Sequence, residues 1–285
     1  MSKPEELANA FALVGMAWGI GLVLGPALGG VLGQVNLRAP AFFSAALALT
    51  NLGLSFFYLP ESLPKERRET RPMRAGDFNS FKSIGAIGRL PGLAALLVVI
   101  CLFNFGFGSM GSTETLFVIR RFAALPWQVG LMSMLAGISI ALVQALLVKR
   151  LSVALGEAVL ASICLLILVS GAVGMVIVPV FVLVFPIVII RSAASGFIFP
   201  ILNTLSTRRV PATERGALMG VNTALGSLMG IFSPIVGGLL YDHWAPGAPY
   251  LFATLFYIGA ALLLIRQRTP KSALPPVLDI PPYAG

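Results

Sequence analysis

The feature that most limits the fold is a succession of apolar runs, each about twenty residues long, separated by short polar segments. A helix rising 1.5 Å per residue needs ~20 apolar residues to cross a hydrocarbon core ~30 Å thick. Inside lipid the backbone must satisfy its own hydrogen bonds, so a crossing is either a helix or part of a closed barrel. Barrel strands need only ~10 residues and alternate in polarity. These runs are twice as long and do not alternate, so the expected fold class is all-α and integral to a membrane. Spans are expected near 8–33, 40–59, 91–119, 127–148, 157–178, 180–206, 216–240 and 248–266, about eight crossings. Residues 158–206 form one stretch without an acidic residue, too long for a single crossing. Pro179 is the expected turn there, because proline cannot continue a helix without losing a hydrogen bond. Composition agrees: 57% of residues are hydrophobic and 11% charged, against ~25% charged in soluble domains.

Net charge is +9, which raises the possibility of a nucleic-acid partner. The placement of the basic residues argues against one. Taking the loops alternately, one side holds Lys3, then Lys65, Arg67, Arg68, Arg71, Arg74, Lys82 and Arg89, then Lys149 and Arg150, then Arg208, Arg209 and Arg215, then Arg266, Arg268 and Lys271. The other side holds Arg38, Arg120 and Arg121, and Arg191 falls within a span. That asymmetry puts both termini in the cytoplasm, in an inner or plasma membrane, and fits an even number of crossings. Residues 1–6 are polar and the first apolar run is too long for a signal's core, so no signal peptide is expected. Segment 61–90 is basic and proline-containing and is expected to be a cytoplasmic linker between bundles at 1–60 and 91–266. Segment 267–285 is proline-rich and is expected to be a disordered cytoplasmic tail.

The chain repeats itself. Gly25-Pro26-Ala27-Leu28-Gly29-Gly30 in the first span is matched by Ser233-Pro234-Ile235-Val236-Gly237-Gly238 in the seventh. Ala39-Pro40-Ala41-Phe42-Phe43, opening the second, is matched by Ala248-Pro249-Tyr250-Leu251-Phe252, opening the eighth. Two matches in the same order at nearly one offset make the first and last hairpins equivalent units of two halves. Transporters are often built from such halves, with the substrate site near the midplane between them. Six spans fill 91–266 but only two precede them, so the first half is four helices short of the second.

These residues resemble the major facilitator superfamily. Gly21, Gly25-Pro26 and Gly29-Gly30 resemble the antiporter motif in the fifth helix of its exporters, and are most similar to drug–proton antiporters including tetracycline efflux pumps. Leu59-Pro60-Glu61-Ser62 resembles the end of the family's sixth helix, Pro200 with Asn203 its tenth, and Arg215-Gly216 with Gly220 the start of its eleventh. Leu151 to Glu157 is a weaker echo of the loop between helices eight and nine. An upstream glycine usual in the antiporter motif is Ala12 here. The resemblance implies a major facilitator-type helix bundle equivalent to helices 5–12 of 12, lacking helices one to four. It further implies proton-coupled efflux of drugs or other small molecules. Against that stand a truncated, inactive remnant, a partner subunit that needs a separate four-helix segment, and an importer, which the antiporter motif disfavours.

Several residues are candidates for the chemistry. Gly21, Gly25, Gly29 and Gly33 recur every four residues and form a flat stripe where a neighbouring backbone can approach. Pro26 interrupts the hydrogen-bond ladder and can bend the helix. Close packing and a sealed, bent interface both read from this pattern, and Pro234, Gly237 and Gly238 are its counterparts. Glu114 and Arg191 are ionisable groups inside spans, which are costly and often functional. Arg191 keeps its charge, so it needs a partner or a watery cavity. Since the family's seventh and tenth helices face the central cavity, the resemblance implies that the two can pair there, for protons, for substrate or as a structural ion pair. Ser133 and Gln144 are eleven residues apart and share a helix face, as do Asn222 and Ser233. Each pair, and Asn104, either lines a cavity or joins helices by hydrogen bonds. Cys101 and Cys164 lie in separate apolar runs and His243 in a short loop, so none suggests a disulfide or a metal. No phosphate-binding loop, catalytic triad or ligand cluster appears. The expectation is therefore a transporter rather than an enzyme, without cofactor, driven by an ion gradient.

Overall fold

The computed structural model describes residue 21 and residues 24–58, 92–211 and 215–266. The expected linker at 61–90, the tail at 267–285 and the start of the first span lie outside the described residues. Among those described, seven helices are long and apolar enough to cross a membrane, and a shorter apolar helix, Leu24–Val35, falls in the first expected span.

In chain order these are α1 (Leu24–Val35), α2 (Ala39–Tyr58), α3 (Leu93–Gly111), α4 (Glu114–Phe122), α5 (Pro126–Leu142), α6 (Val148–Leu155), α7 (Glu157–Ile177), α8 (Val184–Thr207), α9 (Arg215–His243) and α10 (Ala248–Arg266). Two spans are not single regular helices. The third is α3 followed by α4, interrupted at 112–113, where Ser109, Ser112 and Thr113 turn their hydroxyls onto local carbonyls. The fourth passes from α5 through a π turn, Val143–Leu147, into α6. The division expected at Pro179 is present: α7 ends at Ile177 and a short 3₁₀ turn begins at Phe181.

From α3 onward the helices form one bundle. α10 packs against α3 and α7, α9 against α3, and α8 against α5 and α7. Its centre is filled by Phe117, Leu165, Leu168, Met175, Ile198, Tyr250 and Tyr257. The outer faces carry large apolar side chains such as Ile177, Val182, Phe199 and Leu255, as lipid-facing surfaces do. By contrast α2 buries none of its residues. Buried hydroxyls bond to carbonyls of their own helix, as at Ser162, Ser195 and Ser206, which is how polar groups are accommodated in a span.

The two ends of the bundle are tied by arginines. At one end Arg208 pairs with Glu157 at 2.9 Å, and Arg209 donates to the Gly92 carbonyl. Gly92 has φ +70°, a conformation that suits glycine at the entry to α3. At the other end Arg121 donates to the carbonyls of Val176, at 2.5 Å, and Val178, at 3.0 Å. These carbonyls lie at the C-terminus of α7, where helical partners run out.

Candidate functional site

The break between α3 and α4 makes Glu114 the first residue of a helix, and the α4 N-terminus favours its negative charge. Directly across, Arg191 on α8 places Nη2 2.5 Å from Glu114 Oε1. Arg191 is 6% exposed and the Glu114 side chain 17%, so the pair is largely removed from solvent. The other arm of the guanidinium, Nη1, donates to Met110 Sδ at 3.0 Å. The stem of Arg191 runs across Gly171 on α7, where a Cβ would lie 3.2 Å from Arg191 Cβ and 3.3 Å from its Cγ. Without a side chain at 171 the arginine can lie flat against α7 and reach inward.

The pair opens on a cavity of about 250 Å³ between α1 and the bundle. Its lining is mostly apolar, with Phe107, Met132, Ile140 and Val188, and includes Ser133, Ser192 and Ser195 besides Glu114 and Arg191. Pro26 of α1 closes one side. Beside it α1 crosses α5 at close range. A Cβ on Gly30 would fall 2.9 Å from Gly130 Cα, and one on Gly130 would fall 2.9 Å from both Gly30 Cα and the Pro26 carbonyl oxygen. Real side chains do not fit at either position, so the crossing needs glycine on both helices.

Among the described residues only part of the expected glycine pattern meets a neighbouring helix. Gly21, Gly25 and Gly29 have nothing within 4 Å of an added Cβ among the described residues. Contact is made by Gly30, and more loosely by Gly33, 3.8 Å from Pro126 Cβ. One residue of helical rotation, ~100°, separates Gly25 and Gly29 from Pro26 and Gly30, which meet α5, and the stripe's last member, Gly33, touches α5 as well. The repeat counterpart uses the other face. At Gly237 a Cβ would collide with the Ser109 carbonyl, and Gly108 lies under Ser233, so α9 and α3 touch there. Gly238 is open, and Pro234 lies between the two contact residues Ser233 and Gly237.

Two candidates are not brought to the cavity. Gln144 lies in the π turn, which shifts the helical register away from Ser133. Its Nε2 donates to the Gly196 carbonyl at 3.4 Å. That carbonyl has no helical partner because Pro200, four residues on, lacks an N–H. Asn222 donates to Asn203 Oδ1 at 3.0 Å, joining α9 to α8. Ser133 does line the cavity. Asn104 bonds to the Ile100 carbonyl of its own helix, and His243 is exposed beside the Leu239 carbonyl.

Gly130, Gly171 and Met110 were not singled out from the sequence. A glycine inside an apolar run was the available signal for the first two, but several other glycines share it. The buried tyrosines of α10, Tyr250 and Tyr257, were also missed. Their seven-residue spacing puts both on one face.

The model of the Major Facilitator Superfamily matches residues 1–234 and 189–279 of the chain. A tetracycline resistance protein, class C, of Escherichia coli is 31% identical over 266 residues, covering 92% of this chain and 64% of that protein. Multidrug resistance protein 2 of Bacillus subtilis (strain 168) is 26% identical over 276 residues, covering 94% and 67%. The chain thus spans about two thirds of the length of these relatives. A crystal structure of a human organic anion transporter superposes with a TM-score of 0.70 at 24% identity, covering 93% of this chain and 65% of that one, a likeness of fold.

Proposed function

The chain belongs to the Major Facilitator Superfamily, and from that premise we propose that it serves proton-coupled efflux of drugs or other small molecules by alternating access. The observation that carries this reading is the Glu114–Arg191 pair at an interrupted helix, facing a cavity. Interrupted helices recur at transporter binding sites. An ionisable pair inside a span is costly unless it works. In this reading Glu114 exchanges its bond to Arg191 for a proton, and substrate occupies the apolar cavity beside it. Ser133 and Ser192 offer hydroxyls to the substrate. The Gly30–Gly130 crossing seals one end of the cavity while the other is open. The names of the tetracycline and multidrug resistance relatives support efflux as the direction and drugs as the cargo. The protein acts as a transporter and not as an enzyme, in a plasma membrane, with both termini on the cytoplasmic side.

The test is proton release in everted membrane vesicles, read with a pH-quenched dye while tetracycline or ethidium is added. Substrate-dependent dequenching is expected from the unaltered chain and is lost in Glu114→Gln and in Arg191→Gln. Unchanged coupling in both variants would remove the pair from the mechanism.

A second reading is favoured by a separate observation. α2 buries no residue, and the Gly25–Gly29 face of α1 is open, whereas the equivalent Ser233–Gly237 face of α9 is packed on α3. A helix equivalent to α3, supplied from outside the described residues, fits that open face, and activity would then require it. Co-expression of a four-helix segment from a tetracycline-efflux relative is the test. Activity gained only on co-expression supports this reading, and full activity without it excludes the requirement.

A further inference from the structure

Three mismatches meet around Arg191. Its Nη1 arm rests on the Met110 sulfur, a weak acceptor for a charged donor. Tyr250 OH and Tyr257 OH are both buried without a hydrogen-bond partner. Leaving such a hydroxyl unpaired is unfavourable. The two rings bracket the segment that holds the guanidinium. Tyr250 packs on Phe117, one turn beyond Glu114, with ring centres 4.8 Å apart. Tyr257 lies against Gly106, one turn before Met110, where a Cβ would come 3.0 Å from its Cε1.

The two arginines nearest in sequence to Glu114 are engaged elsewhere. Arg120 sits over the Tyr241 ring of α9, and Arg121 serves the Val176 and Val178 carbonyls. Cys164 of α7 is buried as a free thiol. Tyr250 OH and Tyr257 OH are thus buried acceptors without a partner, beyond the cavity hydroxyls of Ser133 and Ser192 that also line the pair's surroundings.

We propose that Arg191 is a two-position cation, held by Glu114 when that carboxylate is charged and by Tyr250 and Tyr257 when it is neutral. The two tyrosines are then positioning residues that shelter the arginine while the carboxyl is occupied. The proposal rests on the reading that Glu114 is neutralised during transport, but its test does not use transport.

The test is a set of double-mutant cycles on the purified full chain in lipid nanodiscs, read by thermal unfolding. With Glu114 intact, Tyr250→Phe and Tyr257→Phe are expected to leave the midpoint unchanged or slightly raised, since each removes an unpaired hydroxyl. In a Glu114→Gln background each is expected to lower it by about 2–4 °C, because a charge-accepting hydrogen bond is lost. Equal shifts in the two backgrounds overturn the proposal and make the phenols packing groups. A penalty confined to intact Glu114 also overturns it, because the phenols would then serve the carboxylate. If Glu114→Gln yields no folded protein, Glu114→Asp replaces it. Its shorter carboxylate retracts from Arg191, and the same non-additivity is required. Failure of proton coupling in vesicles would leave this result standing, and additive midpoints would leave the transport reading standing.

Discussion

Removing one member of a buried ion pair leaves the other charge without compensation, typically at ~3–5 kcal/mol. Arg191 lies almost wholly inside the bundle, and among the described residues Glu114 is its one ionic partner within bonding distance. Glu114→Gln and Arg191→Gln are therefore each expected to lower stability markedly. The double variant should recover part of that loss, because no lone charge remains. Thermal unfolding of the three proteins checks the order, and a double variant less stable than both singles would contradict it. Gly171 supports the same pair at one remove. Gly171→Leu forces the arginine stem away from α7 and is expected to destabilise by ~1–3 kcal/mol, with transport lost to the extent that Arg191 is displaced. Unfolding and vesicle dequenching measure the two effects. At this scale the sequence was informative about Glu114 and Arg191 because ionisable residues stand out in apolar spans. It was silent about Met110, Gly171 and the tyrosines, because which side chain lies opposite Arg191 is decided by helix packing and not by spacing along the chain.

Between elements, small residues and freed carbonyls decide how closely helices approach. The α1–α5 crossing depends on Gly30 and Gly130. Gly30→Leu and Gly130→Leu are expected to abolish export while the protein still reaches the membrane fraction. Gly25→Leu enters open space among the described residues and is expected to be tolerated unless a further helix covers that face. Comparing export with membrane abundance for the three variants separates the crossing from the stripe. The bond from Gln144 to Gly196 yields a second cycle. Gln144→Leu is expected to cost ~1 kcal/mol where Pro200 leaves the Gly196 carbonyl free, and close to nothing in a Pro200→Ala background, where the helix reclaims it. Equal costs in both backgrounds would show that Gln144 acts otherwise. Apolar run lengths foretold the helices and Pro179 the division between α7 and α8. They did not foretell the interruption at 112–113 or the π turn, since neither contains a proline and both lie inside apolar runs long enough for a continuous helix.

Across the whole molecule, charge asymmetry and the internal repeat make one statement about orientation. The Arg208 end of the bundle gathers Gly92, Lys149, Arg150 and Glu157, and the opposite end carries Arg120 and Arg121. If lysine and arginine set orientation as they generally do, the Arg208 end is cytoplasmic. The repeat is consistent with this, because five candidate spans separate α1 from α9, which places the two matching helices in the same sense. Cysteine accessibility tests this directly in a background with Cys101 and Cys164 replaced by serine. Trp244, which is 81% exposed beyond α9, belongs to the outer end, and Lys149 on α6 to the inner one. In intact cells a membrane-impermeant maleimide is expected to label Trp244→Cys but not Lys149→Cys, and disrupting the membrane should expose both. Labelling of Lys149→Cys alone in intact cells would invert the topology. It would also turn the sealed Gly30–Gly130 end toward the cytoplasm, so the cavity described here would open outward.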